Sequence, residues 1–240
     1  PAHAGAPAAG SAVLSALVVK GSLFLLMRLW FDAFPALRTM APMQLLALLG
    51  AMAVILGCLA ALRQRRLKLL VAYSTVAQIG YMMFVFGLAP ADAGSFLAQT
   101  AWTGAWAQIV AHGFAKASMF MAAGLAAEAL GHDRIDGLGG LSAAAPLVVI
   151  AFAVSGLSLM GLPPSGGFSA KFLLLQAALG EGQWPWAIVI VAGGVLAGAY
   201  LFRVLDRMLA AAPQGMTVTP VATGRQLIAL GLSLVAVLIG

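Results

Sequence analysis

Seven apolar runs, each long enough to cross a hydrocarbon layer, occupy most of this sequence. They fall at about residues 11–31, 43–62, 67–88, 95–130, 146–179, 184–209 and 224–240, and roughly 20 residues at 1.5 Å rise span a bilayer core of about 30 Å. Lipid offers backbone groups no hydrogen bonds, so a spanning chain must fold as helices or as a closed barrel. The runs lack the period-two alternation of barrel strands, which leaves helices. Composition agrees: 62% of residues are hydrophobic, 8% are charged and the mean hydropathy is +1.02, against roughly 45–50% apolar and 25% charged in soluble domains. The expected fold class is an all-α integral membrane protein of about seven transmembrane helices, forming a single transmembrane domain over 1–240.

Two runs are abnormal. Segment 95–130 is far longer than a bilayer needs, so it must tilt, project from the membrane or unwind locally. Segment 146–179 contains Pro163 and Pro164 followed by Gly166 and Gly167. Two missing backbone donors and two flexible positions predict a broken helix there.

The net charge of +6 does not point to nucleic acid, because the basic residues sit in short connections rather than in a stripe with interleaved aromatics. Arg63, Arg65, Arg66, Lys68, Arg134, Arg203, Arg207 and Arg225 alternate onto one face, leaving Arg28 and Arg38 on the other. The positive-inside rule then makes the 63–68 loop cytoplasmic, in what is expected to be a bacterial inner membrane. The opening PAHAGAPAAG has neither the basic nor the apolar region of a signal peptide, and without an initiator methionine it suggests that further chain precedes it. Cys58 stands alone in an apolar run and reads as a small core residue.

Three of the four lysines, Lys20, Lys116 and Lys171, lie well inside apolar runs, whereas the nine arginines fall in the connections or toward the ends of runs. Ionisable residues are expensive in such positions, and lysine differs from arginine in being able to release its proton when desolvated. Lys20 is roughly 12 Å from the nearer end of its span, too far to snorkel comfortably. Gln108, His112 and Lys116 recur at spacing four and share a helix face. An imidazole beside a desolvated lysine provides two sites of comparable proton affinity, as a relay requires. Lys171 follows the helix break, where transporters bind ions or water, although a lysine at the membrane boundary would also fit. Ser74, Gln78 and Tyr81, with Tyr73 nearby, could hold water between charged sites or simply bond neighbouring helices.

The acidic residues avoid the span centres. Asp32, Asp92 and Glu181 belong to one set of connections and Asp133, Asp136 and Asp206 to the other. Glu128, three turns beyond Lys116, is a candidate inner mouth of a proton path or a solvated helix-end charge. No metal-ligand cluster, nucleotide loop or nucleophile elbow is visible. The expected catalytic residues, metal ligands and cofactors are therefore none.

The segments LKLLVAYSTVAQIGYM (67–82), AHGFAKASMFMAAG (111–124), GLGGL (137–141) and GLPPSGGFSAKFLLL (161–175) resemble the antiporter-like membrane subunits shared by respiratory complex I, Mrp-type sodium/proton antiporters and membrane-bound hydrogenases. The His-x-x-x-Lys pair with Pro-Pro and a following lysine is most similar to the Mrp D-type subunit and the large terminal subunit of complex I. The resemblance implies half of a fourteen-helix fold: the first helix like the eighth, 43–209 like the complete second five-helix repeat, and the last span like the fourteenth. An essential glutamate and a further lysine of the first repeat would lie in the absent N-terminal half. It also implies roles: Lys20 as the link between half-channels, Lys116 as the central lysine, His112 as its companion, and Lys171 as the outward lysine on the broken helix. Gln108 departs from the second histidine of the complex I terminal subunit and favours an Mrp-like or hydrogenase-associated relative.

The leading expectation is a proton-translocating subunit that works among other membrane subunits in the lipid bilayer. It would have no catalytic chemistry of its own, even as part of an NADH:quinone oxidoreductase or hydrogenase. The alternatives are a non-conducting scaffold that anchors a peripheral redox enzyme and a Na+/H+ exchange subunit. Against the scaffold stand three lysines in apolar helices. Against sodium stands the shortage of oxygen ligands in this sequence.

Overall fold

The computed structural model describes residues 5–34, 36, 39–89, 95–212 and 218–240; Arg38 and Asp92 lie outside the described residues. The elements are α1 (Ala8–Ala33), α2 (Met40–Leu62), α3 (Leu67–Leu88), α4 (Phe96–Leu130), α5 (Pro146–Met160), α6 (Gly166–Gly180), α7 (Trp184–Leu209) and α8 (Thr223–Leu238). Five of them, α1 to α4 and α7, are long and apolar enough to cross a membrane. The expected seventh run becomes α8, of 16 residues, and the abnormal run 146–179 becomes α5 and α6, of 15 residues each.

Local sequence explains several helix ends. The Ser95 hydroxyl accepts from Ala98 N at 3.1 Å to open α4, and Ser165 does the same for Phe168 N to open α6. Pro146 supplies the first turn of α5, where its missing N–H is harmless. Gly161 ends α5 at φ 85°, a left-handed turn suited to glycine.

Of the three options open to the long run, unwinding is excluded: α4 is one uninterrupted helix of 35 residues, about 52 Å at standard rise. The break in 146–179 also differs in detail from expectation. It spans 161–165 and includes a cis Pro163–Pro164 bond, while Gly166 and Gly167 are the first residues of α6. They serve close packing instead: a Cβ on Gly166 would meet Ala111 Cβ at 3.0 Å, and one on Gly167 would overlap the Ser158 backbone of α5.

α2 and α3 form a tight hairpin because small residues face each other. A Cβ on Gly57 would lie 2.6 Å from Ala77 N, and Gly80 packs directly against Gly50. One end of the bundle gathers the basic connections. Arg66 grips Asp133 at 2.9 and 3.0 Å, Leu67 N donates to Asp133 O at 2.7 Å, Arg203 donates to Leu62 O, and Arg225 pairs with Glu128 at 2.7 Å. At the other end Arg28 pairs with Asp32. Among the described residues, the basic connections therefore gather at one end of the bundle.

Candidate functional site

α3 is the best buried of the long spans, and its one polar face organises the site. Val71, Ser74, Thr75 and Gln78 recur on it at spacings that stack side chains on one side of a helix. All four are buried.

Lys116 is fully buried and approaches this face from α4. Its ammonium donates to Val71 O at 3.0 Å and to the Ser74 hydroxyl. Ser74 and Thr75 also donate to Val71 O, at 2.9 and 3.2 Å. Lys20 reaches the same cluster from α1: its ammonium donates to Ser15 O at 2.5 Å, and the Ser15 hydroxyl bonds Thr75 Oγ1 at 2.8 Å. Residues Leu14–Val18 form a widened π turn in α1, a local irregularity that recurs at functional sites. Lys20 and Lys116 therefore flank one polar cluster: Lys20 holds the carbonyl of Ser15, the Ser15 hydroxyl bonds Thr75, and Thr75 and Lys116 both donate to Val71 O.

Lys171 sits one turn above Gly167 on α6 and folds back onto the break. Its ammonium donates to Leu159 O at 2.5 Å and Met160 O at 3.2 Å, the last carbonyls of α5, and lies 4.2 Å from the Tyr81 ring centre. A helix C-terminus offers unpaired carbonyls and negative dipole charge, so a cation is the natural cap. The Lys171 stem passes Gly161, where a Cβ would stand 2.8 Å from Cδ. Only glycine satisfies both that contact and the left-handed turn. A cavity of about 640 Å³ between α6 and α7, lined by Lys171, Phe168, Phe172, Gly194 and Gly198, adds apolar surface beside the stem.

Gln78 connects the break to α4. It donates to Leu159 O at 3.0 Å and accepts from Gln108 at 2.7 Å. His112 lies between Gln108 and Lys116 on the same buried face of α4, but neither ring nitrogen has a hydrogen-bond partner among the described residues. The expected His112–Lys116 pair is thus a shared face without a direct bond. Tyr81 donates its hydroxyl to Ile190 O at 3.3 Å and turns its ring to Lys171. Tyr73 is 36% exposed and stands apart from the polar cluster. Glu128 is engaged by Arg225 at the basic end. Cys58 is buried with its thiol toward Gly193 O, as a core residue would be.

Sequence reasoning did not single out Ser15, Thr75 or Tyr200. Ser15 carries the signal of a hydroxyl within helical reach of Lys20, and Tyr200 is the sole polar side chain from Ile188 to Phe202. Among the described residues none of the three lysines has a carboxylate partner; the ion pairs all involve arginine.

The family profile described as NADH:quinone oxidoreductase/Mrp antiporter, TM, matches residues 1–197. The chain is 33% identical over 206 residues to NADH-quinone oxidoreductase subunit N of Desulforudis audaxviator, covering 85% of this chain and 40% of that one. To F(420)H(2) dehydrogenase subunit M of Methanosarcina mazei it is 33% identical over 210 residues, 86% and 40% of the two chains. The chain therefore spans less than half the length of these relatives. In fold it matches a chain of the Mrp complex from Dietzia sp. DQ12-45-1b with a TM-score of 0.83 at 23% identity, over 94% of this chain and 49% of the other.

Proposed function

The chain belongs to the NADH:quinone oxidoreductase/Mrp antiporter transmembrane family, and on that premise we propose that it carries protons across the bilayer through Lys20, His112, Lys116 and Lys171. It works as part of a membrane subunit in a multisubunit complex. The observation that supports this most is the convergence of the lysines on α3. Lys20 and Lys116 flank the Ser15–Thr75–Val71 cluster, and Lys171 meets Gln78 at Leu159 O. Ammonium groups held by hydroxyls and carbonyls, with no carboxylate among the described residues to fix their charge, can lose and regain a proton. Two such groups close together repel when both are charged, so protonation of one favours release from the next.

On this reading the chain supplies the second five-helix repeat, 43–209, of a longer subunit, and the acidic partner of the lysines comes from a first repeat. The basic end with the 63–68 loop faces the cytoplasm of a bacterial inner membrane, in accord with its arginine content. Any redox chemistry belongs to other subunits.

The test is proton flux in proteoliposomes containing the complete complex. Lys116→Ala in the full-length subunit is expected to abolish flux while the complex still assembles. Unchanged flux would overturn the proposal.

A further inference from the structure

The Lys116 and Lys171 branches approach each other on α3 without joining. Lys116 ends at Ser74 and Lys171 at Leu159 O, shared with Gln78. Ser74 and Gln78 are one helical turn apart on the same face, and no hydrogen bond runs between them. Opposite that gap stands Tyr200 of α7. It is fully buried, and its hydroxyl lies close to the side chains of both Ser74 and Gln78 without completing a hydrogen bond to either.

That arrangement is unexpected for a packing residue. A buried phenol normally finds a partner, and leaving one unsatisfied costs about 1–3 kcal/mol. Phenylalanine would fill the same volume in this otherwise apolar stretch without that cost. A phenol hydroxyl can donate one hydrogen bond and accept two. Located between two branches, it can take a proton from one while giving its own to the other.

We infer that the Tyr200 hydroxyl is the link through which protons pass between the Lys116 and Lys171 branches. The inference rests on the proton-carrying reading above. In the transfer, Lys116 gives a proton to the Ser74 oxygen, Ser74 gives its own to Tyr200, and Tyr200 gives its own to a water held at Gln78. That water passes one proton to neutral Lys171. Each oxygen gains one proton and loses one, so the net change is one N–H bond broken at Lys116 and one formed at Lys171.

The experiment uses the complete complex in proteoliposomes, with Tyr200→Phe and Lys116→Ala measured side by side. Tyr200→Phe is expected to leave assembly and melting temperature unchanged or improved, because the hydroxyl bonds to nothing it would lose. Flux is expected to fall about a hundredfold, the low end for a positioned proton-transfer group, with a larger slowing in D2O than in the parent as the transfer becomes limiting. If Lys116→Ala abolishes flux while Tyr200→Phe leaves flux and isotope effect unchanged, the link is overturned and the wider reading stands. If both variants conduct normally, both fall.

Discussion

Lys116 and Lys171 are the same residue in two different cages. Lys116 meets a hydroxyl and an interior carbonyl of α3, and that carbonyl is also served by Ser74 and Thr75. Lys171 meets only the end carbonyls of α5 and an aromatic face. The first cage contains groups that both donate and accept, so it can hand a proton on and remain satisfied when the lysine is neutral. The second contains acceptors alone, and it depends on the cation for its own satisfaction. One lysine is therefore suited to passing charge, while the other also holds a broken helix together.

The largest expected effect removes what the two cages have in common. Lys116→Arg and Lys171→Arg both keep a cation but one that does not release its proton. Each is expected to abolish proton flux in the reconstituted complex. If Lys171→Arg conducted normally, Lys171 would serve only as a helix cap and the comparison would become a division of labour.

Both cages hang on α3, and α3 is held against α2 by backbone contact. Gly57→Val should thus strike both alike: its side chain would enter the Ala77 backbone. Overpacking of this kind is expected to cost about 3 kcal/mol, read as a loss of thermal stability with flux per folded complex falling together at both sites. Selective loss of one branch would show that α2 does not set the register of α3.

Much of this was legible in the sequence. The spans followed from hydropathy, the break from Pro163 and Pro164, the polarity of the bundle from where the arginines fall, and the shared face of Gln108, His112 and Lys116 from their spacing. What could not be read was which helix each lysine faces. Ser15 and Thr75 are 60 residues apart, and their meeting depends on how α1 packs, including a π turn that no proline or glycine announces. Tyr200 was hidden for the opposite reason. A single tyrosine in an apolar helix reads as packing until its neighbours are known. Their sequence context places Gly166 and Gly167 in the break, whereas in the fold they let α6 start against α4 and α5, a tertiary contact that composition does not encode.

The next effect separates the cages by stability rather than flux. Lys171→Met leaves Met160 O without its donor and removes the cation from the end of α5. A loss of about 2 kcal/mol is expected. Lys116→Met removes a buried charge while Ser74, Thr75 and Val71 stay bonded to one another, so the melting temperature should hold or rise. Equal destabilisation by the two substitutions, measured in the full-length subunit, would erase the structural distinction between the cages.

The smallest effect lies at the basic end, remote from both. Arg66 grips Asp133 with two hydrogen bonds, but its side chain is half exposed, and exposed ion pairs contribute about 0–1 kcal/mol. The same two loops are also joined by backbone bonds, Leu67 N to Asp133 O and Ile135 N to Arg65 O, which substitution of the side chains leaves in place. Arg66→Ala should therefore lower the melting temperature only slightly and leave proton flux unchanged. A large loss of flux with little loss of stability would mean that the clasp between these loops positions α3 and α4 for transfer. The difference between the cages would then be set from the end of the bundle rather than by the side chains that surround each lysine.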